Sequence, residues 1–273
     1  MKKILSLALA VIMCLGVVLS FASCGAKSDW ELVQEKGYFV CGITLYEPMN
    51  FTDADGNLTG FDTELATLVA EKLGVEAKFQ LISWGNKYVE LTSGAIDCIW
   101  NGFTSNCADS DGQQRADKVD FTYAYLDNAQ CVVINSARAA EFTSAESLAG
   151  KKAAVETGSA GESYAKSVNA EIVGKTSQKD TFTELKSGAV DFIVVDVLLA
   201  NELAGKGDFS ALTKANITIE KEEYSIGCRK NSDLDAKINE ALVSLLNEGK
   251  LEALATKYGV TVTESLLAKK AAQ

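Results

Sequence analysis

Histidine does not occur in the 273-residue chain. Its absence removes the side chain that most often works as a general base near neutral pH, and with it the commonest metal ligand. Triad hydrolases and histidine-ligated zinc sites are therefore poorly supported readings. Proline occurs once, at Pro48, against 21 glycines, so breaks between elements must be written mostly in glycine. Excess positive charge is also missing. With 26 basic and 37 acidic residues the formal net charge is −11, and such a field repels nucleic acid and anionic membrane surfaces. Beyond the N-terminal segment, no apolar run approaches the ~20 residues that span a bilayer.

What is present describes a globular chain of 47% hydrophobic and 23% charged residues, longer than one average domain, for which two lobes are the default expectation. The N-terminal stretch has basic Lys2 and Lys3, an apolar run over residues 4–19 and small residues before Cys24. This is the pattern of a secretory signal over residues 1–23. Its end resembles a bacterial lipobox, which makes Cys24 the expected lipidation site and residues 24–29 a tether to the membrane. The remaining cysteines, Cys41, Cys98, Cys107, Cys131 and Cys228, are odd in number and match no zinc spacing. Four of them sit in apolar strand-like runs and read as small buried hydrophobes.

One phrase is written twice. Residues 90–99, ELTSGAIDCI, and 184–193, ELKSGAVDFI, share seven of ten residues. Each copy reads as a helix end, a glycine suited to the left-handed conformation, then a short apolar strand. A further helix over residues 60–74 puts Phe61, Leu65, Leu68, Val69 and Leu73 on one face, and the strand VEAKFQLI follows. The pattern is α/β, with mixed and mostly parallel sheets flanked by helices. The repeat suggests two related lobes, and polar residues follow each copy: 101–104 after the first, Asp196 after the second. In open α/β sheets that place beyond the strands binds ligands.

These segments resemble the type 3 extracellular solute-binding proteins that serve bacterial amino-acid ABC importers, across nearly the whole mature chain. The residues that carry the likeness are GITLYEPMNFTDADGNLTGFDTELATLVAEKLGV, the Ser83-Trp84 pair, IDCIWNGFTSN, RADKVDFTYAY, SLAGKKAAVETGSAGESYA and AVDFIVVD. The resemblance implies a periplasmic-binding-protein-like fold with a ligand cleft between the lobes. It places lobe 1 over residues 30–126 and 225–273, lobe 2 over 131–222, and the hinge at 127–130 and 223–224. It further implies that Tyr46 and Trp84 cover a ligand, and that the backbone of Asn101 and Gly102 and the Thr104 hydroxyl join Asp196 in holding an α-ammonium. Arg115, a guanidinium able to clamp a carboxylate through two parallel hydrogen bonds, faces the same ligand as the helix N-terminus at Ser159 and Ala160.

The expected function is capture of a free amino acid and delivery to an ABC permease and its ATPase, at the outer face of the membrane or in the periplasm. The protein is expected to be a monomer with no cofactor, no metal and no nucleic-acid partner. An exported dehydratase acting on cyclohexadienyl amino acids on the same fold is the alternative, and without histidine its acid or base would have to be a carboxylate such as Glu156. Thr44 stands near the expected side-chain pocket where binders of basic amino acids carry an aspartate, which argues slightly against lysine and arginine. The polar insertion at residues 107–114 reads as a surface loop, and Ser232 as the N-cap of a C-terminal helix carrying Ile238, Leu242, Leu245 and Leu246 on one face.

Overall fold

The structure, a computed structural model, describes residues 27–270. Cys24 and the expected signal lie outside the described residues. The first part of the chain lays down β1 (Tyr38–Ile43), the hairpin of β2 (Phe51–Thr52) and β3 (Leu58–Thr59), then β4 (Glu76–Leu81), β5 (Cys98–Ile99) and β6 (Asp120–Phe121). The long β7 (Leu126–Asn135) leads into β8 (Lys152–Glu156), β9 (Glu171–Lys175), β10 (Phe192–Asp196) and β11 (Leu212–Lys214). Then β12 (Lys221–Tyr224) leads back to β13 (Gly227–Cys228).

Hydrogen bonding sorts most of these strands into two sheets, ordered β4-β1-β5-β13-β6 and β11-β7-β10-β8-β9, with β12 also paired to β7. This is the two-lobed α/β architecture. In each sheet the strands joined through helices run parallel: β1 with β4 and β5, and β8 with β9 and β10. The returning strands β13 and β7 run antiparallel to their neighbours. Strands β7 and β12 pair from Leu126↔Tyr224 to Ala129↔Lys221, so two antiparallel segments connect the sheets.

The repeated phrase has the same job in both sheets. The helix Lys87–Ser93 ends at Gly94 (φ 78°) and the helix Gln178–Ser187 at Gly188 (φ 77°). Each glycine N–H returns to the carbonyls of the Glu-Leu pair that opens its phrase. The aspartate of each copy then locks the adjacent strand: Asp97 Oδ2 accepts the Val40 N–H at 2.8 Å, and Asp191 Oδ2 accepts the Lys152 N–H at 2.9 Å. The shared residues are thus scaffold, and polar groups that differ between the copies follow them.

The helix Phe61–Leu73 buries Phe61, Leu65 and Val69, with Leu68 and Leu73 packed at the edge. The helix Leu234–Asn247 buries Ile238, Leu242, Leu245 and Leu246. Asp233, not Ser232, occupies its N-cap position, because the Asp233 carboxylate is turned to the Trp30 N–H at 2.9 Å while the Ser232 hydroxyl accepts the Leu234 N–H at 3.2 Å. Cys41, Cys98, Cys131 and Cys228 are buried and unpaired. Three of them sit side by side on β1, β5 and β13, with Cys41 Sγ and Cys98 Sγ 3.8 Å apart. Among the described residues no helix is long and apolar enough to cross a membrane.

Candidate functional site

A closed, nearly filled cavity of about 10 Å³ lies between the sheets. Tyr46, Trp84, Asn101, Gly102, Thr104 and Arg115 line it from one side, and Gln130, Glu156, Ser159, Ala160, Gln178 and Asp196 from the other. All nine ligand-contact residues expected from the sequence are therefore brought to one place. Gln130 and Gln178 are additions that the family motifs do not mark, and Glu156 is expected only as the acid or base of the alternative reading. A signal for Gln130 exists in β7, where Asn128 and Gln130 interrupt an apolar strand at alternate positions and so share a face.

On the first side, Gly102 has φ 53° and its missing Cβ leaves room for a neighbour: a methyl there would stand 1.8 Å from the Tyr46 hydroxyl. The Gly102 N–H donates to Asp62 Oδ2 at 2.7 Å, and the Tyr125 hydroxyl donates to Asp62 Oδ1 at 2.8 Å. The Asn101 side chain is consumed by Thr44, whose N–H and hydroxyl donate to Asn101 Oδ1 at 2.9 and 2.6 Å. Thr44 is not among the residues that line the cavity; it stands behind Asn101, which donates back to the Thr44 carbonyl at 2.9 Å. Trp84 is held edge-on against Phe103, with ring centroids 5.4 Å apart.

Arg115 is 1% exposed. Its Nε donates to Asp109 Oδ1 at 2.8 Å, and its Nη1 to the Thr104 carbonyl at 3.0 Å. Asp109 comes from the 107–114 insertion, which is therefore more than a surface loop: its carboxylate is buried and also accepts from Tyr88 and Lys118 at 2.6 and 2.9 Å. Burial alone would raise the Asp109 carboxyl, but the charges of Arg115 and Lys87 outweigh it and hold it at about 2. Buried Lys87 is pushed down to about 7 by burial and by Arg115, and its Nζ donates to the Gly158 carbonyl across the cleft at 3.0 Å.

On the second side, the helix Ala160–Ser167 points its N-terminus at the cavity. Ser159 caps it, accepting the Glu162 N–H at 3.0 Å. The helix sits tight on β10 because Gly161 has no side chain; a Cβ there would stand 2.6 Å from the Val194 carbonyl oxygen. Asp196 ends β10 and accepts from Asn128 Nδ2 and Gln130 Nε2, each at 2.7 Å, and from Gln178 Nε2. Behind it, Glu222 Oε2 accepts from Gln130, Thr104 and Asn128 at 2.9, 3.1 and 3.2 Å. Burial raises the Asp196 carboxyl against these hydrogen bonds. Burial and the nearby Asp196 charge push Glu222 to about 7 and Glu156 to about 8.

A cavity between two lobes that carries a guanidinium, a carboxylate and two aromatic rings is suited to holding a small charged solute. Residues 39–261 match the bacterial extracellular solute-binding proteins, family 3. The chain belongs to this family. It is similar to the L-cystine-binding protein TcyJ of Escherichia coli K12, 30% identical over 252 residues and covering 90% of this chain and 91% of TcyJ. The arginine-binding extracellular protein ArtP of Bacillus subtilis is 27% identical over 263 residues, with 94% and 98% covered. Among solved structures, an ABC uptake transporter substrate-binding protein from Streptococcus pneumoniae with bound histidine superposes with a TM-score of 0.76 at 30% identity, covering 86% of this chain and 97% of that one. An ancestral amino acid-binding protein, described as a precursor of cyclohexadienyl dehydratase, superposes at 0.75 with 27% identity, covering 85% and 99%. TcyJ and ArtP are named for binding and not for turnover, and this family 3 protein is likewise a solute-binding protein and not an enzyme.

Proposed function

We propose that the protein is the substrate-binding component of an ABC importer, capturing a free amino acid in the inter-lobe cavity and delivering it to a membrane permease and its ATPase. The observation that carries this reading is the convergence of Arg115 and Asp196, from opposite lobes, on one cavity. A zwitterion carries a carboxylate and an ammonium close together, and burying either without a partner costs several kcal/mol. Arg115 and the N–H of Ala160 take the carboxylate, while the Ser159 N–H is held by the Glu156 carbonyl at 3.1 Å and Ser159 faces the ligand with its side chain. Asp196 takes the ammonium, together with the Gly102 carbonyl and the Thr104 hydroxyl. Tyr46 and Trp84 cover the ligand. The names of TcyJ, ArtP and the histidine-bound protein support an amino acid as the ligand.

The lobes in this reading are 30–126 with 225–273, and 131–222, hinged at 127–130 and 223–224. The protein acts as a monomer on the outer side of the membrane, tethered through lipid on Cys24; substitution of Cys24 by alanine then frees it from the membrane fraction or stalls its maturation. A thermal-shift screen with the twenty amino acids and cystine tests the function, since a ligand that binds only the folded state raises the melting temperature. No shift with any of them would sink it.

A further inference from the structure

The two carboxylates on the cavity are treated differently by the fold. Asp196 is surrounded by amide donors from Asn128, Gln130 and Gln178. Glu156, the last residue of β8, is 3% exposed, lines the same cavity, and its Oε1 has no hydrogen-bond partner in the protein. A buried carboxylate oxygen without a donor carries a desolvation penalty; a proton relieves it in the empty site, and a donor brought in by a ligand can relieve it in the filled one. The charge balance agrees. One cationic side chain, Arg115, lines the cavity against two carboxylates, Glu156 and Asp196. A plain zwitterion matches Arg115 and Asp196 and leaves Glu156 over. Tyr46 and Trp84 share the cavity, and aromatic faces favour a nearby cation.

We propose that Glu156 is a specificity-determining residue that takes a second cationic nitrogen, borne on the side chain of the bound amino acid. The ligand class is thus amino acids with two cationic nitrogens, a subdivision that rests on the amino-acid reading above. The groups that face Glu156 are Asp196, Asp180 and Tyr46 on one hand and Lys87 and Arg115 on the other. Burial and the Asp196 charge prevail, so the carboxyl titrates at about 8 and holds its proton at pH 7 in the empty site. A cation seated against it favours the ionised form and expels that proton. Affinity for such ligands therefore rises with pH up to about 8, and binding at pH 7 releases a proton; a neutral side chain does neither.

Calorimetric titration of the mature protein decides the matter with matched pairs: ornithine against norvaline, lysine against norleucine, arginine against citrulline, and cystine against S-methylcysteine. Runs in two buffers of different ionisation enthalpy count the protons released. The expected result is at least a tenfold preference for the dicationic member of one pair, with proton release. Glu156→Gln should cut that preference tenfold or more and abolish the release. Equal affinity for both members of every pair in the parent, or an unchanged preference in the variant, overturns the proposal while neutral amino acids that still bind leave the transport reading standing. If no amino acid of either kind binds, both fall. Should the variant fail to fold, the parent's preference and proton release give the answer on their own.

Discussion

Asp62, Glu156 and Glu222 are buried carboxyls whose folded-state values lie at about 7, 8 and 7, pushed up first of all by burial. In the unfolded chain they titrate near 4. Between those limits the folded state binds more protons than the unfolded one, so stability falls as pH rises, by at most about 1.4 kcal/mol per pH unit for each group. Lys87, lowered to about 7, works in the opposite sense above that pH, where the unfolded chain retains a proton the folded state has lost. The melting temperature of the ligand-free protein should accordingly drop from pH 5 to pH 7 and flatten above it. Glu222→Gln should weaken the drop, and a profile in this variant as steep as the parent's would mean that Glu222 is not held protonated. Sequence patterns point to Arg115 and Asp196 because their segments match a family motif. They are silent on Asp109, Asp62 and Glu222, whose importance comes from burial and from partners between six and 118 positions away.

At the scale of elements, helices and strands are legible wherever the local signal and the tertiary demand agree. The glycines of the repeated phrase show this. A methyl added at Gly94 or Gly188 meets nothing within 4 Å, so substitution by alanine probes only the left-handed backbone. Each change should lower stability by about 1–2 kcal/mol and leave ligand affinity within twofold, as chemical denaturation and calorimetry would reveal. A neutral outcome would mean that the helix ends without its left-handed cap. Gly161 belongs to the other kind, required by a contact between elements, with the helix Ala160–Ser167 resting on the β10 backbone. No local pattern marks such a glycine, and none marks the insertion at 107–114 as an anchor, because its Asp109 gains meaning only once the chain folds back on Arg115. The N-cap of the helix Leu234–Asn247 departs from the sequence expectation for a similar reason: Ser and Asp are both good caps, and the neighbouring Trp30 N–H, 203 residues away in sequence, engages Asp233.

Across the whole molecule, contacts that bridge the cleft converge on one loop. Lys87 Nζ and Arg115 Nη2 both reach the Gly158 carbonyl, at 3.0 and 3.4 Å, and Thr104 reaches Glu222 on the returning strand β12. In the proposed reading a ligand enclosed by both sides enters only when these contacts part, and β7 and β12, the paired segments that join the sheets, are where that movement would be absorbed. The two ends of the site can be tested unequally. Removing Arg115 also strips Asp109 of its closest ion pair, so a loss of binding in Arg115→Ala mixes recognition with local unfolding. Asp196→Ala is cleaner, because two of the three amides it leaves behind, from Asn128 and Gln130, keep Glu222 as an acceptor, while Gln178 keeps its bond from the residue 196 N–H. The variant should lose about 2–5 kcal/mol of ligand affinity, the cost of burying an ammonium without its counter-charge, and should melt no lower than the parent when both are empty. In solution scattering the parent should contract on saturation with ligand, and the variant should not contract at the same ligand concentration. Near-parental affinity in Asp196→Ala, with contraction intact, would place the ammonium elsewhere and leave Glu156 as the only unengaged carboxylate on the cavity able to receive it.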